Sequence, residues 1–317
     1  MLSLIVPVYN EQESLCELHA QIASACAGMG EPWELVLVDD GSTDGSWDAI
    51  VRLSQQHPEV TGLRFRRNFG KSAALAAGFE ATRGEILVTL DADLQDNPAE
   101  IPRFVQKLRS GYDLVNGWKV RRLDPWHKTK PSKVFNWMVS SLTGLSLHDH
   151  NCGFKCFRRE VAREVSLYGE RHRFIPVLAH ARGFRVTEID VHHRARAHGH
   201  SKYGFRRFHR GFLDLLNVKF QTACGTRPMH LFGGLAGVAL LLGLCSLAAV
   251  ALRGLVSGGP LHRLDLVLAL LGSGLLLLAA LLFPLGLIAE LLIAHSAHRP
   301  ADCSLSERTP PAPPSAT

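Results

Sequence analysis

The sequence predicts an α/β fold, a mostly parallel sheet covered by helices, followed by a hairpin of two membrane-spanning helices. Three observations carry that prediction. Short apolar runs alternate with helix-period segments through the first 120 residues, aspartates close two of those runs, and two long uncharged stretches follow Arg227. Continuous apolar strands alternating with helices imply a sheet buried on both faces.

Residues 3–8 read as the first strand, and Leu15, Leu18 and Ile22 then share one helical face. Asn10, with Glu13 three residues on, has the pattern of a capping box. Residues 34–39 form the second strand, closed by Asp39-Asp40-Gly41, and Trp47, Ile50 and Val51 mark a second helix. A third strand at 63–65 leads into an Ala-rich helix at 72–82; residues 85–90 are the fourth strand and 113–116 the fifth. In such sheets ligands bind beyond the carboxyl ends of the strands. Asp39, Asp40, Asp91 and Asp93 all fall there.

The uncharged stretches, 231–252 and 266–289, are each long enough to cross a hydrocarbon core of about 30 Å as a helix. They place a hairpin at 229–295, with a link containing Arg253, Pro260 and Arg263. Gly233, Gly234 and Gly237 on one helix and Gly272 and Gly274 on the other permit close helix packing or a homo-oligomer. Basic residues are denser before the first span than in the link, which puts both termini in the cytosol and the hairpin in the cytoplasmic membrane. Between 203 and 228, Phe205, Phe208, Phe212, Leu215 and Leu216 alternate with Arg206, Arg207 and Arg210. That pattern fits an interfacial helix, or a core-packing helix with a basic outer face. The Pro-, Ser- and Ala-rich tail at 296–317 has the composition of a disordered segment.

The formal charge of +6 suits nucleic acid, anionic lipid or phosphorylated substrates. No zinc-finger spacing, stacking signature or long Lys/Arg run favours nucleic acid, and the apolar spans turn the reading towards lipid. Seven cysteines without CxxC pairing suggest reduced thiols. The apolar run at 2–8 is too short for a signal peptide, so the catalytic part is expected in the cytosol. His192-His193 and His198-x-His200 lack the spacing of a zinc site.

Asp91-Ala92-Asp93 is the centre of the chemistry. Two carboxylates one residue apart at a strand end suit a hard divalent cation, Mg2+ or Mn2+, with Gln95 as helper. Alone, the pair also reads as a cap before Asn97-Pro98. It follows Val6-Pro7-Val8-Tyr9-Asn10-Glu11 and Val38-Asp39-Asp40-Gly41-Ser42-Thr43-Asp44. Arg67-Asn68-Phe69-Gly70-Lys71-Ser72, Asn151-Cys152-Gly153-Phe154-Lys155 and Arg196-Ala197-His198-Gly199-His200-Ser201-Lys202-Tyr203 complete the set.

Over residues 3–228 the chain resembles the family 2 glycosyltransferases, in the branch of dolichol-phosphate mannose synthase and bacterial polyprenyl-phosphate glucosyltransferases. The resemblance implies a GT-A fold over 1–202. It implies a nucleobase and ribose site at Pro7, Tyr9, Glu11 and Asp39, with Asp40 as a further candidate. It implies a metal site at Asp91, Asp93 and Gln95, and phosphate contacts at Arg196, Ser201 and Lys202. Lys71 reads as a phosphate contact or a solvated helix-start lysine, and Lys119 and Arg122 as cations of the acceptor loop. Asp149 is the candidate base, although Gly153 stands where some relatives carry an acid. The reaction implied is inverting transfer of a hexose, from UDP-glucose or GDP-mannose, to polyprenyl phosphate at a membrane. A glycosyltransferase with another acceptor and a non-catalytic scaffold remain the alternatives.

Overall fold

The computed structural model describes residues 1–120, 126–192, 194, 213–220, 228–257 and 262–296, with backbone alone for 126–134 and 293–296. Arg122, Arg196, Ser201 and Lys202 lie outside the described residues, as do 203–212 and 297–317. Two compact units divide the chain, Met1–Val218 and Lys219–Thr317.

The first unit begins with strictly alternating strands and helices: β1 (Leu2–Val8), α1 (Leu15–Ala27), β2 (Trp33–Asp39), α2 (Ser46–Gln56), β3 (Val60–Arg64), α3 (Lys71–Ala81) and β4 (Ile86–Thr89). These four strands pair in parallel in the order β3-β2-β1-β4. The second half adds α4 (Ile101–Arg109), β5 (Leu114–Lys119), α5 (Trp126–Thr143), β6 (Lys155–Arg158), α6 (Arg159–Glu164), α7 (Ile175–Ala181) and β7 (Val186–Val191). The sheet is completed as β4-β6-β5-β7, with β6 antiparallel to both neighbours. Neither β6 nor β7 stands out in the sequence. Four residues reading Lys-Cys-Phe-Arg give no apolar run, and β7 mixes Thr, Glu and Asp with its apolar residues.

Alternation along β1 builds the two core layers. Leu4, Val6 and Val8 face α1, α2 and α4, packing with Leu18, Ile22, Ile50 and Phe104. Ile5 faces the other side, with Leu75 and Phe79 of α3, Phe157, Val161 and Ile175. Phe104 of α4 stacks on Phe154 with ring centroids 4.1 Å apart and planes 15° from parallel. This stack seats the segment before β6 against the sheet. A third cluster joins Val139, Leu145, Leu147, Phe174 and Val177 to Leu215 and Val218 of α8, residues 213–220. The inner face of α8 is therefore core, while Leu213 and Leu216 remain exposed.

The expected capping box does not form. The N-cap of α1 is Ser14, without a side-chain cap. Asn10 turns instead towards the β2–α2 loop, where its amide oxygen accepts the Thr43 N–H at 2.8 Å.

In the second unit, α9 (Pro228–Ser257) and α10 (Arg263–Ser296) carry apolar spans of 29 and 30 residues. At 1.5 Å per residue each exceeds a core of about 30 Å. Glycines from both helices meet within this pair. A Cβ on Gly243 would lie 3.0 Å from the Gly272 carbonyl oxygen, and one on Gly272 3.1 Å from that of Gly243. The packing row expected at Gly233, Gly234 and Gly237 is not the contact: Gly234, Gly237 and Gly274 meet nothing within 4 Å. Glu290 accepts the Met229 N–H at one end of the hairpin, and Arg253 pairs with Asp265 at 3.1 Å near the other.

Phe104→Ala removes a wholly buried ring and is expected to cost the first unit about 3–5 kcal/mol. Chemical denaturation followed by tryptophan fluorescence reads this; a loss below about 1 kcal/mol would show that the stack does not anchor the pre-β6 segment.

Candidate active site

Among the described residues, the segments that carry the sequence motifs gather at one edge of the sheet. Those after β1, β2, β3 and β4 leave carboxyl ends, and the segment before β6 arrives there because β6 runs in reverse.

The loops after β1 and β2 are stitched together. Asn10 sits at φ +55°, its N–H donates to Ser42 Oγ at 2.9 Å, and the Glu11 N–H donates to Ser46 Oγ at 3.0 Å. Pro7, Tyr9 and Glu11 are half-buried along this seam. Asp39 is fully buried; Oδ1 accepts the Ser42 N–H at 2.9 Å and Oδ2 faces Arg64 Nε at 3.3 Å. Gly41 has φ +70°, and a Cβ there would lie 2.5 Å from the Arg67 carbonyl carbon, so only glycine fits. Asp40 accepts the N–H groups of Phe69 at 2.7 Å and Gly70 at 2.9 Å, fixing the loop that presents Lys71. Burial pushes its carboxyl above the usual range against the pull of those two amides.

Lys71 opens α3 and pairs through Nζ with Asp91 Oδ1. Burial alone would raise the Asp91 pKa, but Lys71 and then Lys119 outweigh it and hold the carboxyl well below the usual range. Gly153 explains how that carboxylate is accommodated. A Cβ built there would lie 2.5 Å from Asp91 Oδ2, so a side chain at 153 would have to displace the Asp91 carboxylate.

Asp93 is buried, and its Oδ1 accepts the Gln95 N–H at 3.2 Å. Between them Leu94 holds φ +59°, a strained angle for a side chain other than glycine. The Gln95 carbonyl accepts the Arg194 N–H at 3.0 Å. The Arg194 guanidinium reaches Asn97 Oδ1 at 2.7 Å and Gln21 Oε1 at 2.9 Å. Arg194 is thus tied to the loop that follows Asp93.

Asp149 is almost wholly buried; its Oδ1 accepts the Asn151 N–H at 3.2 Å and its carbonyl accepts from Asn116 Nδ2 at 2.5 Å. Three neighbours were given no role in the sequence reading. Asp96 is buried and pairs with Lys119 Nζ at 2.9 Å, so Lys119 belongs to the floor of the site. Burial would lower the Lys119 pKa, but Asp96 prevails and raises it. Lys155 is buried, donates to the Cys152 carbonyl and has its pKa lowered by that burial. His172, with Nδ1 3.0 Å from Ser72 Oγ, is held well below its ordinary pKa by burial and by Lys71. Asp96 left a signal as the third acid of Asp91-Ala92-Asp93-Leu94-Gln95-Asp96, and Lys155 as the last residue of Asn151-Cys152-Gly153-Phe154-Lys155; His172 left none.

The donor set suits a hard cation: two strand-end carboxylates, one held ionised and seated in the space that the missing Cβ of Gly153 leaves. Cations beside carboxylates at one sheet edge suit a substrate bearing phosphates.

The sequence profile of glycosyl transferase family 2 matches residues 3–166. A dodecaprenyl-phosphate galacturonate synthase of Rhizobium johnstonii is 38% identical over 308 residues, covering 94% of this chain and 89% of that protein. An undecaprenyl-phosphate 4-deoxy-4-formamido-L-arabinose transferase of Salmonella paratyphi B is 36% identical over 289 residues, covering 91% and 86%. Among solved structures, glucosyl-3-phosphoglycerate synthase of Mycobacterium tuberculosis, in complex with Mn2+, UDP and phosphoglyceric acid, aligns with a TM-score of 0.57 at 16% identity. That alignment covers 71% of this chain and 78% of the other, and is a likeness of fold. The profile and the two relatives together show that the chain belongs to glycosyl transferase family 2 and is a glycosyltransferase.

Proposed function

We propose that the protein transfers a sugar from a nucleotide-sugar to a polyprenyl phosphate at the cytoplasmic face of a membrane. The observation that carries this reading is the extent of the likeness. It covers 94% of the chain, and the unmatched 6% is too short to contain α9 and α10. The match therefore runs into the apolar hairpin, and the matched protein is named for a polyprenyl-phosphate product, which supports a lipid acceptor here. The donor is UDP-glucose, GDP-mannose or a modified sugar such as those in the names of the two relatives.

In this reading Pro7, Tyr9, Glu11 and Asp39 receive the nucleoside, and Asp40 shapes the loop that delivers Lys71. Asp91 and Asp93, with Gln95 beside them, hold Mg2+ or Mn2+, which when bound neutralises diphosphate charge on the departing nucleotide. Lys71, released from Asp91, is positioned to meet phosphate oxygens. Arg122, Arg196, Ser201 and Lys202 clamp phosphate of donor and acceptor; the arginines suit bidentate contact. The acceptor oxygen forms a bond to the anomeric carbon as the bond to the nucleoside diphosphate breaks, inverting that carbon. A phosphate monoester has a second pKa of about 6, so the acceptor is already largely ionised at neutral pH. Asp149, buried and fixed by Asn151, then acts mainly by holding the pre-β6 segment.

The protein in detergent, given undecaprenyl phosphate, Mg2+ or Mn2+ and a panel of labelled nucleotide-sugars, is expected to move label from one donor into the lipid phase and to stop with chelator. Label passing only to water or to a soluble sugar would refute the lipid acceptor. Asp93→Asn should reduce transfer by roughly 100-fold or more with the fold intact. Asp149→Asn should cost much less, and equal losses would restore Asp149 as an essential base. Gly153→Ala should push Asp91 aside and lower turnover by about tenfold or more; wild-type turnover would show that the Asp91 carboxylate is free to move.

A further inference from the structure

We propose that the first unit carries a second, separate metal site, formed by His19, His57 and Glu59, that takes a borderline cation of the zinc type. The three residues come from two places in the chain. His19 lies in the middle of α1, while His57 and Glu59 belong to the turn between α2 and β3. That turn precedes β3, so it lies at the sheet edge opposite the strand ends that bear the aspartates.

The geometry is that of a three-ligand cage. His19 Nε2 is 3.3 Å and His57 Nδ1 3.6 Å from the same atom, Glu59 Oε1. The three ligand atoms all lie within 4.8 Å of one another. Tetrahedral zinc, with bonds of about 2.0–2.1 Å, sets its ligand atoms about 3.3 Å apart. Two of the three spacings are close to that size, and the third lies within 4.8 Å. Two imidazoles and one carboxylate are a donor set of borderline softness, unlike the carboxylates at Asp91 and Asp93.

The turn is rigid. The Val60 N–H donates to the His57 carbonyl at 3.0 Å, Pro58 occupies its second position, and the Glu59 carbonyl accepts the Leu35 N–H at 2.9 Å. His57 and Glu59 are thus held on one side of a fixed loop, over His19. Side-chain exposure grades from 7% at His19 to 23% at Glu59 and 38% at His57, leaving a path for the ion and a fourth position for water. A bound ion would tie α1 to the α2–β3 turn and would act on stability rather than on sugar transfer.

Zinc titration of the full chain in detergent, against a chromophoric chelator and with millimolar Mg2+ present, tests this. Wild type is expected to hold one zinc ion. Asp93→Asn should still hold it, whereas His57→Ala and Glu59→Gln should bind it at least about tenfold more weakly. Both substituted side chains are partly exposed, and circular dichroism of each variant checks the fold. Zinc should also raise the unfolding temperature of wild type and leave that of His57→Ala unchanged. Equal zinc binding by wild type and both variants would overturn the proposal, as would loss of zinc only in Asp93→Asn.

Discussion

Aspartate side chains gripping backbone N–H groups are the interaction on which the catalytic edge depends. Asp39 takes Ser42, Asp40 takes Phe69 and Gly70, Asp93 takes Gln95 and Asp149 takes Asn151. Each bond closes a loop where a strand ends and its ladder partners run out. Such buried carboxylates are costly unless paired, and backbone amides satisfy them without cancelling their charge. The edge can therefore concentrate acids and stay folded. The added cations follow from that concentration: Lys71 on Asp91, Lys119 on Asp96 and Arg64 on Asp39.

Much of this was legible in the sequence, for a definite reason. β1, β2 and β4 are buried on both faces and so read as unbroken apolar runs, and the acids that end them stand out against that background. β6 and β7 were hidden because a short reversed strand and an edge strand need no such run. The capping box failed because Asn10 has a better tertiary partner in Thr43 than any local one. Of the glycines expected to pack the hairpin, Gly272 does so, against Gly243, which the sequence reading did not name, while Gly234, Gly237 and Gly274 meet nothing within 4 Å. His19, His57 and Glu59 were invisible because 38 residues and two elements separate the first histidine from the second.

Gly153 shows how a departure from a motif acquires meaning only in three dimensions. In the sequence it weakens the assignment of a base beside it. In the structure it is the space that Asp91 fills. The same carboxylate is balanced by Lys71, a residue that the sequence leaves between solvation and phosphate contact. One short side chain thus fixes the reading of two others.

The reversal of β6 has its own consequence for how the fold tolerates change. Lys155, the first residue of β6, lies between Thr89 and Asn116 at the catalytic edge, and Thr89 Oγ1 donates to the Gly153 carbonyl at 2.8 Å. For the parallel strands it is the connection leaving the strand that must keep its length. For β6 it is the connection arriving. Just beyond Arg158 the chain is tied at the remote edge, where the Arg159 N–H donates to the Glu85 carbonyl at 2.8 Å, whereas one added residue between Asp149 and Phe154 would change which atoms confront Asp91. A change of length on the arriving side of this four-residue strand acts on the site directly, and one on the leaving side acts first on the packing of α6.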